Sequence, residues 1–124
     1  MIMLDTHIAV ALYEGRTGGL ALPTRRAIDR DVVTISPAVL LEIELLFEIR
    51  RLREGANAIA KSLADDLDIR VAGDRFADVA TEALALAFTR DPFDRLIVAH
   101  AAIANATLVT QDAMLRYRYP KSMG

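Results

Sequence analysis

Four acidic side chains, Asp5, Glu42, Asp94 and Asp112, stand where a short apolar run ends or a helix begins. Four carboxylates gathered within a few ångströms would repel one another, and without a cation some would keep their protons. Mg²⁺, or Mn²⁺ in its place, removes that conflict, because hard ions prefer oxygen ligands and Mg²⁺ usually retains waters. Water held in this way can serve as a nucleophile, so the chemistry such a set could perform is metal-assisted hydrolysis of a phosphodiester. In that reaction the ion stabilises charge added at phosphorus, and one carboxylate orients or deprotonates the water. The chain has no cysteine, so any metal must be held by oxygen or histidine.

The elements that must position these acids begin with Met1–His7, MIMLDTH, which reads as a short buried strand whose exit is Asp5, followed by a helix from Thr6 to about Glu14. Gly15, Gly18 and Gly19 make a turn-rich loop, and Leu20–Asp29 reads as a second helix. The β-branched run Val32–Ile35 is a second strand. Ser36-Pro37 then supplies a capping hydroxyl followed by proline at the first helical position, opening a helix over Ala38–Leu52. Helical periodicity places Ala38, Leu45, Leu46 and Ile49 around Glu42, so Glu42 is expected along the apolar face, with Glu44 and Glu48 pointing away. A carboxylate there costs several kcal/mol unless it is hydrogen-bonded, paired or bound to a cation.

Ala56–Leu67 is a further helix, Asp68–Val71 a third strand, and Arg75–Ala87 a helix with an apolar stripe through Phe76, Val79, Ala83 and Leu84. Asp91-Pro92 repeats the cap-plus-proline signal and starts a deeply packed helix over Phe93–Asn105, with Asp94 on the stripe of Ile97, Val98 and Ala101. Thr107–Val109 is a fourth strand, leaving through Thr110-Gln111-Asp112, and the tail RYRYP suits a short edge strand. Strands alternating with helices through long connections imply parallel pairing in an α/β/α sandwich. Right-handed crossovers then bring helix N-termini to the carboxyl edge of the sheet, where ligands gather in open α/β folds. Asp5 and Asp112 lie at that edge directly, and Glu42 and Asp94 lie in the first two turns of helices that begin there.

Each acid also has a purely structural use. Asp5 and Asp112 could cap the helices that follow them, Asp94 sits three residues beyond the cap Asp91 in a capping-box position, and Glu42 could pair with a buried arginine. His7 reads as a local hydrogen-bonding group outside the metal shell, and His100 as a buried structural residue. Thr110 could orient Asp112 or cap its turn. Arg95 suits either a carboxylate partner or a phosphate. Arg116, Tyr117, Arg118 and Tyr119 fit a stacking and phosphate-contact surface as well as they fit an edge strand.

The length of 124 residues fits one domain spanning 1–124, and the net charge of −2 implies no general polyanion-binding surface. The start MIMLDTHIAVALY carries Asp5 and His7 at its centre and lacks a basic leader, so it is a poor secretion signal. No stretch reaches the roughly 18 apolar residues of a membrane helix, and the expected compartment is the cytoplasm.

Taken together, MLDTHIAV, SPAVLLEIELL, DPFDRLIVAHA and LVTQDAML resemble the PIN-domain ribonucleases, most closely the VapC toxins of bacterial type II toxin–antitoxin pairs. The resemblance runs from residue 2 to about 119. It implies a PIN-like three-layer α/β/α sandwich with a mostly parallel central sheet, usually dimeric. It also implies Mg²⁺- or Mn²⁺-dependent endoribonuclease activity on an RNA substrate, held in check by a small VapB-type antitoxin. By these motifs the family's four acids fall on Asp5, Glu42, Asp94 and Asp112, with Thr110 and Arg95 as supporting or substrate-contact positions. Leu12 and Tyr13 stand where close relatives often carry a tryptophan, and Met114 and Leu115 precede Tyr117 where an aromatic residue is common. The same acids would also serve a metal-dependent DNA nuclease or phosphatase, and the fold would serve a non-catalytic regulatory module that binds a protein partner.

Overall fold

The computed structural model describes residues 1–124. Five parallel strands form one sheet: β1 (Ile2–Leu4), β2 (Val33–Ile35), β3 (Arg70–Val71), β4 (Thr107–Val109) and β5 (Ser122–Met123), in the spatial order β3-β2-β1-β4-β5. Seven helices connect and cover them: α1 (Thr6–Tyr13), α2 (Leu22–Arg30), α3 (Pro37–Glu48), α4 (Ala56–Leu67), α5 (Phe76–Leu84), α6 (Pro92–Ile103) and α7 (Ala113–Arg118). The architecture is the three-layer α/β/α sandwich, with every strand pair parallel.

The central strand explains its own sequence. Ile2, Met3 and Leu4 are all essentially inaccessible, because a parallel strand covered on both faces needs apolar side chains at every position rather than alternating ones. Leu4 pairs in register with Ile35 on one side and Val109 on the other, so the strands end level and the chain leaves them through Asp5, Ser36 and Thr110. β1 also lies where the strand order reverses direction, β2 and β3 running out on one side and β4 and β5 on the other. At such a reversal the connections diverge above and below the sheet and leave a crevice beyond the strand ends. None of the helices is long and apolar enough to cross a membrane.

Several elements depart from the sequence expectation. α3 ends at Glu48 rather than Leu52, with Arg50 in a left-handed conformation (φ 63°) that turns the chain away. Its buried residues are Val39 and Ile43, whereas Leu45 and Ile49 are 40% and 62% exposed. The helix is apolar almost all round, so periodicity alone could not select the packed face, and Glu42 lies beside the core stripe rather than at its centre. Glu44 is not free in solvent either: its Oε1 accepts the Ala56 amide at 3.0 Å, satisfying an N-terminal donor of α4 that Gly55 cannot cap. A Cβ on Gly55 would stand 2.9 Å from that same oxygen, so a larger residue there would push the Glu44 carboxylate aside.

β3 is confined to two residues because Asp68 takes a left-handed conformation (φ 54°) that closes α4. In α5 the stripe is narrower than expected: Val79 and Ala83 are buried, but Phe76 and Leu84 are 67% and 77% exposed. The tail RYRYP is not an edge strand. Asp112 caps the amides of Met114 and Leu115 and so starts α7, and the edge strand forms later, at Ser122–Met123.

Buried His100 ties three elements together. Its Nδ1 lies 2.8 Å from the Ser36 hydroxyl at the start of α3, and its Nε2 lies 2.9 Å from Asp74 ahead of α5. The residue types are those of a hydrolytic triad, but Ser36 is 2% exposed and the adjoining cavity measures only about 20 Å³. No substrate reaches that serine, and the arrangement works as a clamp between the starts of α3 and α5 and the body of α6.

Candidate functional site

Asp5, Glu42, Asp94 and Asp112 all line one cleft of about 270 Å³ at the carboxyl edge of the sheet, together with Thr6, His7 and Arg16 and, on its apolar wall, Val10 and Leu46. The four acids come from the end of β1, the second turn of α3, the first turn of α6 and the start of α7.

Asp5 is the most firmly held. It is 5% exposed and accepts the Thr6 amide at 2.7 Å, which makes it the cap of α1. Its other oxygen accepts from the Thr110 hydroxyl at 2.6 Å and lies 3.3 Å from His7 Nδ1. Burial pushes its pKa up, but the hydrogen bonds from His7 and Thr110, the charge on His7 and the Thr6 N–H together outweigh burial and hold it below the usual carboxylate range. Thr110 also accepts the Asp112 amide at 3.1 Å, so one hydroxyl joins two of the four acids. Asp112 in turn caps α7 through a single oxygen, leaving the other without a protein donor. Capping and facing the cleft are therefore compatible uses of Asp5 and Asp112.

Glu42 and Asp94 have different environments. Glu42 has no arginine partner; it accepts a short hydrogen bond from the Thr6 hydroxyl. Burial raises its pKa above the ordinary value, Thr6 opposes this, and the negative charges of Asp5 and Asp91 add to it. Asp94 does not close a capping box. The Asp91 amide donates to Thr89 Oγ1 instead, while the Asp91 carboxylate caps Phe93 and Asp94, so the Asp94 carboxyl is left without any hydrogen-bond donor. Its pKa is pushed up to about 6, first by burial and then by the charges of Asp91, Asp5, Asp112 and Glu42.

His7 stands beside Asp5 as a local partner. Asp5 pulls its pKa up, burial opposes this, and the charges of Asp112 and Glu42 help. In its neutral form the ring accepts the Gln111 amide at Nε2, 3.1 Å away, and carries its proton on Nδ1, facing Asp5. Arg95 lies elsewhere. Its guanidinium donates to the carbonyls of Ala83 and Leu84 at 3.0 and 3.1 Å, fastening the end of α5 to α6 rather than facing the cleft. Arginine that follows an acid on a helix points about 100° away from it, and here that direction leads to open carbonyls.

Thr6 and Arg16 line the cleft without being singled out by the sequence. The Thr6 partner is 36 residues distant, and Arg16 lies in a glycine-rich loop whose path no local pattern fixes. As the side chains stand, no three of the histidines and acids form a ready cage for an ion. The donor chemistry nevertheless suits a hard divalent cation: the acids offer only oxygen, burial and then the neighbouring negative charges raise the pKa of Glu42 and Asp94, and the Asp94 carboxyl is unengaged.

No curated protein sequence matches the chain significantly. Among solved structures, the crystal structure of VapBC2 from Rickettsia felis bound to a DNA fragment from their promoter is similar, with a TM-score of 0.65 and 23% identity over 99% of this chain and 96% of that one. At that identity the likeness speaks for the fold. The model of the PIN domain matches residues 2–119, a span that includes all four acids and every strand except β5, and the chain accordingly belongs to the PIN-domain family.

Proposed function

We propose that the protein is a metal-dependent endoribonuclease of the VapC toxin type, hydrolysing RNA phosphodiester bonds with Asp5, Glu42, Asp94 and Asp112. The observation that carries this reading is the meeting of four carboxylates from four separate elements in one cleft, with no salt-bridging arginine or lysine on any of them. A structural role would pair or cap each acid fully, whereas Asp94 has no hydrogen-bond donor at all.

Bound Mg²⁺ or Mn²⁺ would supply Lewis-acid stabilisation of the charge developing at phosphorus and acidify a water. Asp5, Glu42 and Asp94 would hold it, with Asp112 doing so directly or through water. The remaining groups of the cleft keep the acids in place. The Thr110 hydroxyl and the Thr6 amide fix Asp5, the Thr6 hydroxyl fixes Glu42, and His7 offsets part of the negative charge. A VapB-type antitoxin is the expected protein partner, in keeping with the similarity to VapBC2, and a homodimer is the assembly that the resemblance to the VapC toxins implies.

The test is incubation of total RNA with the purified chain in Mg²⁺, in Mn²⁺ and in EDTA, beside Asp5→Asn and Asp94→Asn. Discrete, metal-dependent fragments that vanish in both variants are the expected result. Equal cleavage by wild type and Asp94→Asn, or none by folded, antitoxin-free protein over several RNA pools, would overturn it.

A further inference from the structure

A second hollow, of about 530 Å³, adjoins the acidic cleft and shares two of its lining residues, His7 and Arg16. Ile8 and Leu20 belong to its apolar floor, and Gly18, Gly19 and Gln111 to its rim. The glycine-rich loop after α1 builds it. Leu20 anchors that loop in the core, at 5% exposure, and the Gln111 side chain ties it to the exit of β4 by donating to the Gly19 carbonyl at 2.6 Å. A hollow of this size, apolar beneath and with a few polar groups around it, has the make-up of a small-ligand site.

Its polar groups have capacity to spare. Arg16 is the only arginine or lysine lining either the hollow or the cleft, and it stands where the two meet. Its guanidinium is 65% exposed and pairs only with exposed Glu14, a surface ion pair of little worth that a phosphate can displace. The Gln111 carboxamide spends one N–H on Gly19 and keeps its oxygen without a protein donor. The exposed Gly18 and Gly19 amides donate to no carbonyl. His7 is engaged at both nitrogens, by Asp5 and by the Gln111 amide, so the ring is held in one orientation and offers the hollow its face.

A phosphodiester held in the cleft carries a nucleoside on either side, and one of the two falls in the adjoining hollow. We propose that this hollow receives the base of an unpaired RNA nucleotide next to the bond being cut, stacked on His7 with its edge at Gln111, while Arg16 binds that nucleotide's phosphate at the junction. The proposal rests on the nuclease reading of the cleft. Unpaired RNA bases are commonly held by stacking on an aromatic or histidine ring with hydrogen bonds to their edges, which is the set of groups present here. Guanidinium suits the junction because its planar fork grips a phosphate through two parallel hydrogen bonds.

The experiment uses the full chain carrying Asp94→Asn, so that the strand is not cut, titrated with a fluorescent single-stranded RNA of mixed sequence and with its duplex at a series of KCl concentrations. Adding Arg16→Gln should flatten the single-strand slope of log K against log[KCl] by about 0.7, the value for one phosphate no longer neutralised. Arg53→Gln, the same change of charge on an exposed arginine that lines neither hollow nor cleft, should leave the slope unaltered. Gly18→Leu fills the hollow without disturbing the loop, since a Cβ there meets nothing within 4 Å. It should weaken single-strand binding at least about fivefold, the lower end of the loss of one stacked base, and leave duplex binding as it was. An unchanged slope in Arg16→Gln, an equal flattening in Arg53→Gln, or a Gly18→Leu chain that binds single strands as before or loses duplex affinity equally would each overturn the proposal. Cleavage by the chain with Asp94 intact is scored separately. Single-strand binding that depends on Arg16 and Gly18 in a chain that cuts nothing would remove the nuclease reading alone, whereas metal-dependent cleavage with binding indifferent to both would remove the nucleotide subsite alone.

Discussion

Replacing Asp94 by asparagine removes one charge from the cleft while keeping the shape of the side chain. The pKa of Asp94 rises from 3.8 to about 6 in the folded protein. A shift of about two units would correspond to about 3 kcal/mol if the group were sealed from water. Asp94 is only half-buried, solvent screens its neighbours' charges, and about a third of that figure, ~1 kcal/mol, is the reasonable expectation. The folded state binds the proton more tightly than the unfolded one, so this destabilisation is absent below pH ~4, grows as pH rises, and is complete above pH ~6. In EDTA at pH 7.5, Asp94→Asn should therefore melt about 4 °C above wild type, given an unfolding entropy of roughly 2.1 cal/mol/K per residue. At pH 4 the two should coincide. Mg²⁺ at ten times its Kd should raise the wild-type Tm by about 5 °C at pH 7.5, and that of the variant by less than half as much. An asparagine variant that melts at or below wild type at pH 7.5, or with the same offset at both pH values, would show that charge repulsion is not what Asp94 contributes. Equal Mg²⁺ shifts in both proteins would remove Asp94 from the cation site.

Thr110→Val should cost about 1–3 kcal/mol in urea unfolding, because Asp5 loses its 2.6 Å donor and the Asp112 amide its acceptor. Since Asp5 titrates below its ordinary value, the stability it contributes is present above pH ~4 and lost on acidification, so the deficit of Thr110→Val should shrink as pH falls, with Thr110→Ser close to wild type throughout. His100→Leu should lower stability by about 2–4 kcal/mol in urea, because the Ser36 hydroxyl and Asp74 lose their common partner; a midpoint within error of wild type would contradict the clamp.

The alternation of strand and helix, and with it the parallel sandwich, is legible in the order of residues alone. The reason is that its signals were local: an unbroken apolar run at Ile2–Leu4, proline after Ser36 and after Asp91, and glycine ahead of Ala56 each act over a few residues. It also indicated that Asp5, Glu42, Asp94 and Asp112 belong to one edge, because strand direction follows from parallel pairing. Which face of α3 packs is settled in the folded chain, since that helix is apolar nearly all round and the choice rests on what lies opposite. The same holds for Arg95 fastening α5 to α6, for RYRYP coiling into α7 under the cap of Asp112, and for Thr6 reaching Glu42 across 36 residues. Those outcomes depend on which donor and acceptor are left unsatisfied where distant segments meet, a quantity that exists only once the chain is folded.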